Sequence, residues 1–121
     1  MNREEFMTFI TEYSGAMAEY LFDEDTTAVF RHGDNRKWFA IVMQIPKNRL
    51  GLYGEGEIDI VNFKCDSLLS GSLFREGGVF PAYHMNKEKW ISVLLDGSVD
   101  SDKIKWLAEL SFELTARKKK L

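Results

Sequence analysis

The sequence predicts an α+β fold, a two-layer sandwich whose mostly antiparallel sheet carries the N- and C-terminal helices on one face. Three observations predict it. Apolar residues recur at three- and four-residue steps near both ends of the chain. Between those ends, β-branched and aromatic runs follow one another through short polar turns, the connection that antiparallel strands use. Both helical stripes need an apolar surface to bury against, and one sheet face supplies it for both.

The first helix is expected over residues 3–21. Phe6, Phe9, Ile10, Tyr13, Met17 and Tyr20 form its stripe, and Glu4 and Glu5 lie in its first turn, where the helix dipole favours anions. The acidic run Asp23-Glu24-Asp25 ends it. Thr26 to Arg31 reads as a strand, His32-Gly33-Asp34-Asn35 as a turn, and Lys37 to Gln44 as the returning strand of a hairpin. Leu50 to Tyr53 is expected as a short strand. Glu57 to Phe63 alternates as a strand does, with Ile58, Ile60 and Asn62 on one side. Asp66 is placed to cap a short helix over Leu68, Leu69 and Phe74, which Gly77-Gly78 stops. Trp90 to Leu95 is another strand. Asp100 or Ser101 caps a final helix whose buried face is Ile104, Leu107, Ala108, Ser111 and Leu114, with cations from Arg117 to Lys120 at its C-terminal end.

The 121 residues carry no internal repeat and no low-complexity linker, so one domain over 1–121 is expected. No apolar run has the length of a membrane span, and the polar, acidic N-terminus lacks the pattern of a secretory signal. A single cysteine, Cys65, makes neither an internal disulfide nor a multi-cysteine zinc site, and a cytoplasmic location is expected. Charge is uneven along the chain. Residues 1–25 hold one cation against seven acids, and the remainder holds 15 cations against 12 acids. That balance permits a cationic face without the strong excess of a tight phosphate binder.

Chemistry-bearing residues concentrate in Pro81-Ala82-Tyr83-His84-Met85-Asn86-Lys87, followed by Lys89-Trp90. A segment that merely filled a core would not carry so many hydrogen-bonding groups. The His84 imidazole is of a type suited to proton exchange or to a phosphate oxygen; the alternative is a ring held by a backbone carbonyl. Lys64 stands at the end of a strand, where it would form a small cationic pocket with the His84 loop or else remain solvated. These residues define a candidate ligand pocket of Lys64, Tyr83, His84, Asn86 and Trp90. Cys65 reads as a buried small hydrophobe rather than a nucleophile. His32, His84 and Cys65 have no metal-ligand spacing, there is no Gly-x-Ser-x-Gly, and Gly51 to Gly56 lacks the Lys-Ser/Thr ending of a phosphate loop, so neither a metal, a cofactor nor a catalytic residue is assigned.

Phe63-Lys64-Cys65-Asp66, the block from Gly78 through Pro81-Ala82-Tyr83-His84-Met85-Asn86-Lys87 to Trp90, and Leu95-Asp96-Gly97-Ser98-Val99 before a C-terminal helix resemble the MmcQ/YjbR family. Val29-Phe30-Arg31 and Trp38-Phe39-Ala40 fit that family's first hairpin. The resemblance covers nearly the whole chain and implies a CyaY-like fold and a DNA-binding role with a double-wing arrangement. Two departures stand out: Ser67 follows Lys64-Cys65-Asp66 where the family often has proline, and the first hairpin turn, His32 to Arg36, is longer than the usual glycine turn. Frataxin-like proteins of this fold carry acidic iron-binding ridges, but three adjacent acids at 23–25 cannot all face one ion from a helix.

The leading expectation is a non-enzymatic module that contacts DNA phosphates weakly and without reading sequence, through Arg31, Arg36, Lys37, Lys64, Lys87 and Lys89. A small-ligand or enzymatic pocket centred on His84 is the alternative, and a protein-interaction domain using the acidic first helix is a third.

Overall fold

A computed structural model describes residues 1–22 and 26–117. In chain order they form α1 (Arg3–Ser14), β1 (Ala28–Arg31), β2 (Trp38–Pro46), a 3-10 turn (Lys47–Leu50), β3 (Glu57–Lys64), α2 (Ser67–Leu73), β4 (Val79–Pro81), β5 (Trp90–Leu94) and α3 (Ser101–Thr115). The five strands make one sheet in the order β1-β2-β3-β5-β4, every neighbouring pair antiparallel. The α+β architecture is the expected one.

Strand register assigns the two faces. Phe30, Ala40, Phe63 and Ile91 pair across the sheet, as do Ala28, Val42, Val61 and Val93, so these residues share a face. That face takes both long helices. The Phe6 ring of α1 lies 5.7 Å from that of Phe63, and α3 contributes the buried Ile104, Leu107 and Ala108. The helices also meet each other, through Tyr13 and Phe112 with centroids 5.4 Å apart. A bulge sets Phe39 on this side too, against Phe30 and Phe112. Burying each of the Phe6, Phe30, Phe39 and Phe63 side chains contributes about 1.5–3 kcal/mol of hydrophobic stabilisation.

Caps explain where the helices begin and stop. Asn2 and Glu5 form a reciprocal capping box at the start of α1, Asp66 accepts from the Leu68 amide at α2, and Asp100 accepts from the Asp102 amide at α3. The first helix is shorter than its stripe predicts. Gly15 turns left-handed, with φ of 72°, and its amide closes on Thr11. The chain then leaves the helix direction, and Glu19 pairs with Val29 through two backbone bonds of 2.9 and 2.8 Å. Met17 is consequently 81% exposed and Tyr20 also faces solvent.

Three further expectations are corrected. A 3-10 turn over Lys47–Leu50 stands in place of a strand at Leu50 to Tyr53. Val79–Pro81 forms an unanticipated edge strand, β4, which ends in a proline, as an edge tolerates. On α3, Leu114 is 51% exposed and Thr115 is buried in its place, bonded to His32. The acidic run at 23–25 and the terminal lysines at 118–120 lie outside the described residues.

Candidate functional site

The other sheet face carries Ile41, Met43, Ile60, Asn62, Lys64, Trp90 and Ser92, the residues that alternate with the helix-facing ones. Asn62 and Ser92 are wholly buried there, on a face with no long helix. They are covered by the β4–β5 connection, which they also hold. The Tyr83 amide donates to Ser92 Oγ at 3.0 Å, Asn62 Nδ2 donates to the Tyr83 carbonyl at 3.0 Å, and Ser92 Oγ donates to Asn62 Oδ1. The three residues thus close a hydrogen-bonded circuit.

The remainder of the connection is fastened from within. Lys87 Nζ donates to the Ala82 carbonyl at 2.8 Å. Asn86 Oδ1 accepts from the Glu88 amide, and its carbonyl accepts from the Lys89 and Trp90 amides, so Asn86 shapes the turn. His84 adopts a left-handed backbone, φ 60°, and its exposed ring lies tilted at 48° against that of Tyr83, with centroids 3.9 Å apart. A left-handed conformation is uncommon for a residue with a Cβ and costs about 1–2 kcal/mol.

A trough of about 440 Å³ remains between this connection and the segment before β1. Ile41, Met43 and Ile45 of β2 form its floor, with Trp38 at the start of the strand and Pro46 at its end. Tyr83, His84 and Met85 line one wall; Phe22 and Thr27 line the other. The lining is largely apolar with a few polar tips, the usual make-up of a small-molecule site.

Three lysines gather at the Trp38 end of the sheet. Lys37 precedes β2, Lys64 ends β3 and Lys89 precedes β5, so two Lys-Trp pairs, Lys37-Trp38 and Lys89-Trp90, flank Lys64 on the adjacent strands. Lys64 Nζ lies 5.4 Å from the centroid of the Trp90 ring. Burial first, then repulsion from Lys89 and Lys37, pulls the Lys64 ammonium below the ordinary lysine range. Among the described residues, none of the three lysines forms an ion pair with a carboxylate.

The residues proposed from sequence are therefore distributed over several places. Tyr83 and His84 line the trough, whereas Lys64, Asn86 and Trp90 lie outside its lining. Of the candidate phosphate contacts, Lys37, Lys64 and Lys89 cluster. Arg31 is held by Glu19 in a two-pronged pair, Nε and Nη2 each 2.6 Å from a carboxylate oxygen, and the Lys87 ammonium is taken by the Ala82 carbonyl. Arg36 is exposed at the hairpin turn with φ of 64°. Cys65 is buried, and burial followed by the Asp66 charge pushes its thiol up, away from a reactive thiolate. Among the described residues, no group of three His, Cys, Asp or Glu side chains is placed to hold a metal ion. No helix among them is long and apolar enough to cross a membrane.

Sequence reasoning did not pick out Trp38, Met43 or Ser92 for the site. The signal for Asn62 was present: an amide in the row of Ile58 and Ile60 requires a buried partner. His32 also proves structural. It is buried against Phe39 and Phe112, with Nε2 2.8 Å from Thr115 Oγ1. It borders a second, more polar cavity of about 490 Å³ that contains the Glu19–Arg31 pair.

Comparison with known proteins agrees with this architecture. The chain is 37% identical over 116 residues to the uncharacterized protein YyaQ of Bacillus subtilis, covering 95% of this chain and 98% of that one. It is 40% identical to a Pseudomonas syringae protein of known crystal structure, with a TM-score of 0.93 over 96% of this chain and all of the other. Deinococcus radiodurans protein DR2400, at 22% identity, shares the fold with a TM-score of 0.74, over 97% of this chain and 80% of its own. The YjbR family profile matches residues 11–114, and with the close relationship to YyaQ it places this chain in the YjbR family.

Proposed function

We propose that the protein is a non-enzymatic binding module whose ligand site is the trough between β2 and the Tyr83–Met85 wall. One observation carries this reading. Two wholly buried polar side chains, Asn62 and Ser92, fix the backbone of Tyr83, and the next residue takes a left-handed conformation. Buried polar networks and unfavourable backbone conformations persist where the surrounding structure enforces a defined geometry. Here the geometry sets His84 and Met85 at the border of an apolar trough of drug-fragment size. The test is a fragment screen by NMR on the intact protein. Binding should shift the Trp38 indole and the amides of residues 83–85, and Met43→Trp, which fills the floor, should abolish it. Hits that map elsewhere, or that survive Met43→Trp unchanged, would refute the reading.

A second reading is weak contact with DNA phosphates, favoured by the grouping of Lys37, Lys64 and Lys89 without acidic partners among the described residues. Its affinity for duplex DNA should fall steeply with salt, and Lys64→Gln should lower the slope by about one. Absence of binding at low salt, or a flat salt dependence, would end it.

A further inference from the structure

We infer that the trough selects a planar aromatic anion, with its ring system over Met43 beside Trp38 and its negative group directed to Lys37 and Lys64; this rests on the trough being the ligand site.

The ring system follows from the lining. Trp38 presents an aromatic surface, and Met43 and Met85 supply thioethers that adapt to flat apolar surfaces from two sides. Ile41 and Ile45 extend the floor without a polar atom. Among the described residues that line the trough, the polar side chains are Thr27, Gln44, Tyr83 and His84, and none is a carboxylate. A flat apolar body can therefore lie along β2 over these residues without desolvating a fixed charge.

The charge follows from register. Lys64 is directly opposite Trp90 on the face that bears the trough, and its ammonium stands over the Trp90 ring. Lys37 adjoins Trp38 in the chain, and Lys37 and Lys89 are both near enough to Lys64 to disfavour its charge. Three ammonium groups at the Trp38 end of the sheet, two of which repel the third on Lys64, are relieved by an anion and worsened by a cation. The end at which they gather is the Trp38 end, so the ring and the anionic group are assigned to adjacent places. A neutral ligand would leave this repulsion untouched, and a long flexible acid would gain nothing from the flat wall.

The experiment compares two probes with one ring system, 1-naphthoate and 1-naphthalenemethanol, titrated into the intact protein by NMR. Both should shift the Trp38 indole, and the carboxylate should bind about fivefold or more tightly at low salt, an advantage that shrinks as salt rises. Lys64→Gln combined with Lys37→Gln should erase the advantage while leaving the alcohol's affinity unchanged. The amide spectrum of the double variant reports that it is folded. Equal affinity for the two probes, or an advantage that persists in the double variant, would overturn the anion assignment while leaving the trough as a site. Failure of both probes to shift Trp38 would overturn the assignment and the trough reading together.

Discussion

Asn62 on β3 and Ser92 on β5 are opposite each other, wholly buried, and between them bond both the amide and the carbonyl of Tyr83. This relationship fixes the wall of the candidate site to the sheet. Asn62→Ala leaves the Tyr83 carbonyl and the Ser92 hydroxyl short of partners, and should destabilise the protein by about 1–3 kcal/mol. Ser92→Ala should cost a similar amount, and the double variant less than the sum, because the two side chains belong to one circuit. Urea denaturation of the four proteins measures this. Fully additive losses would show that the circuit does not act as a unit.

His84 follows the anchored residue in a left-handed conformation. Glycine adopts that conformation without a Cβ clash, whereas alanine retains the clash. His84→Gly should therefore be more stable than His84→Ala by about 1 kcal/mol, after allowance for glycine's greater unfolded-state freedom. Both variants remove the imidazole, so both should weaken a ligand that uses it. Equal melting temperatures for the two would mean that the strained backbone is absent in solution.

The fold was legible in the sequence wherever a local signal governed it. Asp66 and Asp100 marked two helix starts, and His32 to Arg36 marked the hairpin turn. The apolar spacing continues through Met17 and Tyr20 and so predicts a longer first helix, but the left-handed Gly15 decides the end. The Tyr83–His84 segment announced itself by its density of polar groups. The trough was not legible, because Trp38 and Met43 meet His84 only after the β4–β5 connection folds back over the sheet. Likewise, which cations are already occupied depends on tertiary contacts: Glu19 meets Arg31 only through the bridge to Val29.

Cys65 should behave as a masked thiol. Burial raises its pKa above 9.0 in the folded protein, while the unfolded chain ionises near that value. Between the two values the unfolded state binds fewer protons than the folded one, so the stability that this group contributes is fully present below pH 9.0 and is lost as pH rises through the folded value. Cys65→Ala removes that titration and about 1 kcal/mol of packing. The stability gap between wild type and variant should be widest at neutral pH and narrow by pH 10. Denaturation at both pH values measures the gap, and a gap that widened instead would reverse the assigned shift. A thiol-exchange reagent at pH 8 should react slowly with the native protein and at once in urea.

Gly77 and Gly78 both have positive φ, 82° and 76°, and their surroundings separate two costs. A Cβ at Gly77 meets nothing within 4 Å, so Gly77→Ala should cost only the backbone strain, about 1–2 kcal/mol. A Cβ at Gly78 would lie 2.3 Å from Cγ2 of Val99, a core residue that is itself buried. Overpacking adds about 1–3 kcal/mol to the strain there. Gly78 also accepts the Leu94 amide through its carbonyl at 3.0 Å, so a shift to relieve the clash would disturb the contact between β5 and the start of β4. Gly78→Ala should thus be the more damaging variant, and Val99→Ala should restore part of the loss because it removes the methyl group in the way. Thermal denaturation of the three single variants and the Gly78→Ala, Val99→Ala pair tests this directly: purely additive losses would show that the Val99 side chain is not what keeps position 78 a glycine.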